Sequence, residues 1–286
     1  MGYGQRVAGT KKLFAALTRR GPHRVLRGDL AFAGLPGIVY TPESGMNLPG
    51  VAFGHDWMAK AGNYTGTLEH LASWGIVAAA PNTETGLAPS VLNFAFDLGT
   101  TLDIIAGVRL GPGKISVHPT KLAVAGHGFG GSAAVFAAAG MASKLRTAAA
   151  LFPSPTHPPA EQPASTLRMP GLILRAPADG TAIRSNADAL SAAWSRAVTR
   201  TVDKAQASGL VEGRRLAKAV GLPGADRGTQ KHARALLTGY LLHVLAGDKV
   251  YKVFSDPEAT LPKTVALDPH AEPPTMQDKV VALLKG

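Results

Sequence analysis

The stretch Leu122-Ala123-Val124-Ala125-Gly126-His127-Gly128-Phe129-Gly130-Gly131 decides the fold class of this chain. Its first four residues form a short, continuous apolar run, which is typical of a parallel strand buried on both faces. The glycines that follow predict a tight turn, and the small residues of Ser132–Ala139 predict a closely packed helix. The sequence therefore predicts a strand–turn–helix unit in the middle of an α/β protein.

Similar patterns repeat along the chain on both sides of this unit. Short apolar runs predict further strands at Val25–Phe32, Gly37–Tyr40, Val51–Phe53, Ile76–Ala80, Ala148–Phe152 and Leu172–Arg175. Helical patterns lie at Tyr64–Trp74, Ser90–Val108, Ala187–Ala197, Glu212–Val220 and Thr229–Leu245, and one more short strand is expected after about residue 199. The first strands follow one another without a helix, so we expect a meander that leads into a mostly parallel sheet with helices on both faces.

Length and composition fit a single domain and exclude several kinds of site. The 286 residues include no cysteine, so disulfides, thiolate metal sites and cysteine nucleophiles are excluded. No His, Asp and Glu cluster has the spacing of metal ligands, and we expect neither a metal nor another cofactor. The sequence has no apolar stretch of about 18 residues and no apolar signal-peptide core near its first residue. These features predict a cytoplasmic protein.

Positive charge is concentrated at the start of the chain. The net charge is +11, and residues 1–30 carry seven Lys and Arg residues against one Asp. Residues 1–22 predict a basic helix with an apolar stripe, which is typical both of a helix that packs on its own domain and of one that binds an anionic membrane surface or a protein partner. No basic stripe is interleaved with stacking aromatics, so nucleic-acid binding is not predicted. Residues 200–286 are expected to form a helical part followed by a surface tail.

The turn at Gly126–Gly130 matches the G-x-S-x-G nucleophile elbow of serine hydrolases, with Gly128 in the place of the serine. Glycine has no side-chain oxygen, so it can neither attack a carbonyl nor carry an acyl group. Glycine also adopts the strained dihedral angles of an elbow at little cost. The motif therefore predicts the backbone geometry of a nucleophile elbow without a nucleophile.

Three segments in order give the chain a wider resemblance. They are Pro49–Trp57, Leu71–Val77 with the later Pro81, and Gly126–Gly131. In residues, order and spacing they resemble the α/β-hydrolase superfamily, most of all its branch of dienelactone hydrolases, chlorophyllases and cutinase-like polyester hydrolases. The resemblance covers about residues 35–180 and is only loose after residue 199. It implies an α/β-hydrolase fold.

The resemblance also implies where the site residues lie. The loop His55-Asp56-Trp57 and the amide of Phe129 correspond to the oxyanion hole, and Asp179 corresponds to the triad acid. The triad histidine is expected within residues 203–212, but that window holds none, and there is no histidine between His157 and His232. The resemblance therefore implies that the base is missing as well as the nucleophile.

Other residues are weak substitutes for the missing reagents. Ser132 lies about one helical turn beyond Gly128, and His127 is a common neighbour of the nucleophile that more often fills space. His157, His232 and His243 are expected in a loop or in helix packing. Gly126-x-Gly128-x-x-Gly131 also satisfies the dinucleotide-binding pattern, but no Asp or Glu occurs between Asp103 and Glu161 to bind the ribose.

The sequence therefore predicts a non-catalytic binding or regulatory module, a pseudoenzyme, with a ligand pocket at the vestigial active site. Its expected lining is His55, Asp56, Trp57, His127, Gly128 and Phe129, and its expected ligand is a small amphipathic or anionic molecule. One alternative is an active carboxylic-ester hydrolase with an atypical catalytic residue. A second alternative is a dinucleotide-binding protein.

Overall fold

The computed structural model describes residues 3–177, 185–213 and 224–265. The α-helices in these ranges are α1 (Tyr3–Leu17), α2 (Thr65–Ser73), α3 (Val91–Gly107), α4 (Phe129–Gly140), α5 (Glu161–Thr166), α6 (Ala187–Ala193) and α7 (Arg227–Val244). The strands are β1 (Val25–Asp29), β2 (Gly37–Pro42), β3 (Gly45–Gly54), β4 (Val77–Pro81), β5 (Ile115–His127), β6 (Leu145–Leu151), β7 (Gly171–Arg175), β8 (Ala197–Val202) and β9 (Thr264–Val265).

The strands form one sheet in the order β1-β2-β4-β3-β5-β6-β7-β8-β9. The six strands from β4 to β8 in this order are parallel. The strands β1, β2 and β9 join through antiparallel pairs at the two ends of the sheet. The sheet is therefore a mixed α/β sheet whose centre is parallel, as the sequence predicts.

Helices cover both faces of the sheet and give it two apolar layers. One layer contains buried residues of α1, α2 and α7, such as Leu17, Leu71 and Leu237. The opposite layer contains buried residues of α3 to α6, such as Leu98 and Val135. Because both faces are covered, the central strands consist of continuous apolar runs rather than alternating patterns.

Most predicted elements occur within a few residues of their expected ends, but one expectation about strand order and one about a helix end need correction. The predicted meander is limited to β1 and β2, because β3 lies between β4 and β5 instead of beside β2. The predicted helix Ala187–Ala197 ends at Ala193, and Ala197 already begins β8. Alanine is compatible with both states, and the tertiary pairing of β8 with β7 decides between them.

Some expectations fall outside the described residues. Asp179, the expected triad acid, lies there, as do most of the predicted helix Glu212–Val220 and the final part of the expected surface tail. The basic segment at the start of the chain contains α1, whose Phe14 and Leu17 are buried against the domain. Within the described ranges, no helix is both long enough and apolar enough to span a membrane.

Candidate functional site

The predicted elbow forms at the carboxyl end of β5. Gly128 has φ 54° and ψ −117°, a combination that side-chain-bearing residues rarely adopt, and α4 begins at the next residue. The turn is tightly packed, because a Cβ on Gly126 would lie 2.1 Å from the carbonyl oxygen of Gly130. A Cβ on Gly130 would in turn lie 2.3 Å from the backbone of Gly54 on β3. These glycines allow the first turn of α4 to approach β3 and β5 closely.

The carboxylate of Asp56 fills the space above Gly128. A Cβ added to Gly128 would lie 2.0 Å from Asp56 Oδ1 and 2.4 Å from Asp56 Cγ. The same Oδ1 accepts a hydrogen bond of 2.9 Å from the backbone N–H of Phe129. That N–H belongs to the first turn of α4, where a negative charge is favoured by the helix dipole. The Phe129 N–H, which the resemblance assigns to the oxyanion hole, is therefore bonded to a carboxylate of this chain, and an external anion would have to displace it.

The backbone N–H of Asp56 is also engaged. It donates to the Tyr64 hydroxyl at 3.0 Å, and that hydroxyl lies 2.7 Å from His127 Nδ1. The other ring nitrogen of His127, Nε2, lies 2.8 Å from the carbonyl oxygen of Ala207. One neutral tautomer satisfies the whole chain, since Nε2–H donates to Ala207 while Nδ1 accepts from Tyr64.

This network holds His127 in the interior of the protein. The side chain is 1% exposed, and both ring nitrogens have partners. A general base needs a ring nitrogen within reach of the proton that it removes. His127 instead links the elbow to the loop at Ala207, which belongs to the window in which the resemblance implies a triad histidine.

His55 is a buried packing residue. Its Nε2 lies 2.8 Å from the carbonyl oxygen of Thr83, and its Nδ1 lies 3.0 Å from that of Asp56. Burial lowers the pKa of His55 although both carbonyls act in the opposite direction. The ring also packs on Phe94, with 4.6 Å between centroids. His55 therefore positions the loop and is not exposed at its surface.

The expected histidine window contains a carboxylate that stabilises the fold. Glu212 accepts hydrogen bonds from the backbone N–H groups of Gly66 and Thr67, at 2.7 and 3.0 Å, in the first turn of α2. It also pairs with Arg234 of α7 at 2.7 Å. This cap joins α2 and α7 to the segment that follows β8. The segment in which the resemblance implies a base therefore has a structural role here.

The remaining candidates lie apart from the elbow apex. Ser132 is completely buried, and its hydroxyl donates to the carbonyl oxygen of Ser154. His157 is exposed in a loop, and His232 lies on α7 beside Phe14, with 6.0 Å between ring centroids. His243, near the end of α7, has its Nδ1 3.2 Å from the carbonyl oxygen of Asp248. The described ranges contain no group of three His, Asp or Glu residues that could bind a metal ion.

Apolar side chains are exposed beside Asp56. Trp57 is 47% exposed, Met58 is 54% exposed and Leu87 is 77% exposed. The indole N–H of Trp57 donates to the carbonyl oxygen of Leu87 at 3.1 Å, so the two segments are joined. We call these three residues the apolar rim. Of the six expected pocket residues, only Asp56 and Trp57 are not buried.

The roles of Asp56, Tyr64 and Glu212 were not predicted from the sequence. A signal for Asp56 was present, because an acidic residue in the expected oxyanion loop accompanies a glycine at the elbow. Tyr64 and Glu212 gave no local signal, since their partners are distant along the chain.

Comparison with protein-family models finds no match to this chain, and comparison with curated proteins finds no significant relative.

Proposed function

We propose that this chain is an α/β-hydrolase-fold protein without hydrolase chemistry, which acts as a binding module. The fold assignment is supported by the parallel centre of the sheet, by helices on both of its faces and by an elbow at the carboxyl end of the central strand β5. It is in this position that the superfamily presents its nucleophile. The motifs at Pro49–Trp57 and Gly126–Gly131 support the same assignment.

The observation that carries the functional proposal is the contact between Asp56 and the elbow. The carboxylate lies where the first side-chain atoms of a nucleophile would be, and it occupies the N–H of Phe129 that would otherwise stabilise an oxyanion. Removing one oxyanion donor alone slows acyl transfer about 10²–10³-fold. The chain has no serine at the elbow, the Phe129 N–H is bonded to Asp56, and both ring nitrogens of His127 have partners. Acyl transfer therefore has no nucleophile, no free oxyanion donor at Phe129 and no free base at His127.

The same contact favours a neutral ligand over an anionic one. An incoming carboxylate would meet the negative charge of Asp56 at the elbow, whereas the apolar rim of Trp57, Met58 and Leu87 offers exposed hydrophobic surface. Binding sites commonly combine apolar walls with a few polar groups. We therefore propose a neutral amphipathic ligand, with an apolar chain on the rim and a hydroxyl directed towards Asp56.

A carboxylate at the first turn of α4 also disfavours the dinucleotide alternative. A pyrophosphate needs the free N–H groups of that turn, and the Phe129 N–H is bonded to Asp56. The next strand, β6, has the sequence Leu-Arg-Thr-Ala-Ala-Ala-Leu and brings no acidic residue for a ribose. No observation in the described ranges favours this function.

The proposal is tested by separating chemistry from binding. A fluorophosphonate probe should not label the protein, and p-nitrophenyl butyrate should show no burst. Calorimetric titration should show decanol binding, and decanoate should bind at least tenfold more weakly. Trp57→Ala and Leu87→Ala should weaken decanol binding, whereas Val250→Ala, which shortens an exposed apolar side chain elsewhere, should not.

Two results would contradict the proposal. Covalent labelling by the probe, lost on substitution of Asp56 or His127, would establish an atypical hydrolase. Equal affinity for decanol and decanoate, unchanged in Trp57→Ala and Leu87→Ala, would show that the rim beside Asp56 does not bind the ligand.

A further inference from the structure

A cavity lies at the β1 side of the sheet, and its lining shares no residue with the elbow or the apolar rim. It has a volume of about 320 Å³ and lies over β1 and β2, beside the turn that follows α3. The strand β2 runs antiparallel to β4, and its pairing ends at Tyr40 and Ala78, so Thr41 lies at the amino end of β4. The elbow lies at the carboxyl ends of the parallel strands. The cavity is therefore independent of the elbow and of the apolar rim.

The floor of the cavity is built by two cross-strand pairs. Leu26 is opposite Thr41, and Gly28 is opposite Val39, so these four residues share one face of the antiparallel ladder. All four line the cavity. Gly28 contributes no side chain, and a Cβ there would lie 3.0 Å from Val39 Cγ1. The glycine thus leaves room above the ladder that a larger residue would fill.

A buried polar group in this floor lacks a partner. Thr41 is 4% exposed, and within the described residues its hydroxyl makes no hydrogen bond. A buried hydroxyl without a partner is costly, and native structures rarely retain one without a reason. A rotation of about 120° around χ1 moves the threonine hydroxyl into the staggered position that the methyl group held. Thr41 can therefore present either group to the cavity that it lines.

Charged and aromatic groups surround this floor. Arg109 lines the cavity and forms no ion pair within the ranges that the structure describes. Arg27 and Asp29 also border the cavity, but the alternation along β1 puts their side chains on the face opposite to Leu26 and Gly28. One guanidinium nitrogen of Arg109 lies 3.1 Å from the sulfur of Met46, a weak acceptor. The carboxylate of Asp29 caps the short helix Leu30–Ala33 through the N–H of Ala31. Phe32 lines the cavity with 64% of its surface exposed.

We propose that this cavity binds a small aromatic monocarboxylate. The guanidinium group of Arg109 gives the cavity a charge of +1, which matches a monoanion better than a dianionic phosphate ester. Guanidinium groups form paired hydrogen bonds with carboxylates, and the Thr41 hydroxyl supplies a further donor. Phe32 offers a ring face for stacking, and Leu26 and Val39 offer apolar walls. The volume is at the lower end of the range for small-molecule sites, which suits one or two fused rings.

The test is calorimetric titration of the full chain with 2-naphthoate. The wild-type protein should bind 2-naphthoate, and 2-naphthalenemethanol, which has the same ring system without the charge, should bind at least tenfold more weakly. Arg109→Gln should raise the Kd for 2-naphthoate at least tenfold. Thr41→Val, which keeps the shape of the side chain but removes the hydroxyl, should raise it about threefold to tenfold. Arg146→Gln removes the same charge from an exposed position on β6 and should leave the Kd within twofold.

Each other outcome would overturn the proposal. Absence of 2-naphthoate binding to folded wild-type protein would show that the cavity does not take this ligand class. Binding that persists unchanged in both Arg109→Gln and Thr41→Val would place the ligand elsewhere on the protein. Tighter binding of phenyl phosphate than of 2-naphthoate would show that the site prefers a dianion. None of these results depends on the elbow, so the proposed function is tested separately.

Discussion

The contact between Gly128 and Asp56 makes a quantitative prediction for Gly128→Ala. The dihedral angles of Gly128 lie in a region that costs a residue with a side chain about 1–3 kcal/mol. The new Cβ would also lie 2.0 Å from Asp56 Oδ1, whereas ordinary contacts begin at 3.4 Å. The carboxylate must therefore retreat by about 1.4 Å, which breaks its hydrogen bond to Phe129 at a cost of about 1.5–3 kcal/mol. We expect Gly128→Ala to lower the free energy of unfolding by about 2.5–6 kcal/mol in total.

A double-mutant cycle separates these two costs. In an Asp56→Ala background the hydrogen bond is already absent, so Gly128→Ala should cost only the backbone strain, about 1–3 kcal/mol. Urea unfolding followed by tryptophan fluorescence measures all four proteins. Gly140→Ala is the matched control, because Gly140 ends the same helix and a Cβ there meets no atom within 4 Å.

The reasoning would be refuted if Gly128→Ala had the same cost in both backgrounds. Such additivity would mean that Asp56 and the elbow are not energetically coupled. A cost near zero in the wild-type background would refute the elbow geometry itself. A cost for Gly140→Ala as large as that for Gly128→Ala would indicate that α4 is generally sensitive to alanine.

Three further predictions follow from the buried polar groups. Thr41→Val should not lower the free energy of unfolding in urea and should raise it by up to about 3 kcal/mol, because it removes a buried hydroxyl without a partner. Thr147→Val should lower the free energy of unfolding by about 1–3 kcal/mol, since the Thr147 hydroxyl lies 2.7 Å from the Tyr240 hydroxyl. Glu212→Ala should lower the thermal midpoint through a loss of about 3–5 kcal/mol, whereas Glu69→Ala, whose ion pair is exposed, should cost less than about 1 kcal/mol. Burial, and to a smaller extent the charge of Arg234, lowers the pKa of His70 from 6.5 to about 4. Between these two pH values the unfolded chain binds a proton that the folded protein does not bind, so the free energy of unfolding decreases as the pH falls. His70→Gln should therefore remove about 2 kcal/mol of the stability difference between pH 7 and pH 5 in urea unfolding, and an unchanged difference would contradict this assignment.

The elements of the sheet could be predicted because their signals are local. Apolar runs such as Leu122–Ala125 mark strands buried on both faces, and the glycines after them mark the turn into α4. The order of the strands could not be predicted in full, because the position of β3 between β4 and β5 depends on pairing between distant segments. The predicted end of α6 was wrong for a related reason, because Ala197 is placed in a strand by its pairing with the distant Gly171.

The backbone turn of the candidate site could be predicted from the sequence, but the side-chain contacts within the site could not. The sequence located the elbow because glycine and the strand–turn–helix context are both visible locally. It did not show that Asp56 reaches the N–H of Phe129, because this bond joins residues 73 positions apart. The links from His127 to Ala207 and from Glu212 to Gly66 are longer still, at 80 and 146 positions. Such contacts depend on the finished packing of loops over the edge of the sheet.

If the proposed function is correct, these long-range contacts mean that giving this chain hydrolase activity would require several changes. A serine at position 128 would overlap the Asp56 carboxylate, so Asp56 would first have to be replaced by a smaller residue. That replacement would free the Phe129 N–H, but the Asp56 N–H would remain bonded to Tyr64. A base would still be needed, and both nitrogens of His127 are engaged in the network that holds the loop at Ala207. Gly128 is therefore one of several positions that would have to change. The double variant Gly128→Ser with Asp56→Gly should accordingly remain unlabelled by a fluorophosphonate probe. Labelling of that double variant would show that a base is already in place and that the elbow lacks only its nucleophile.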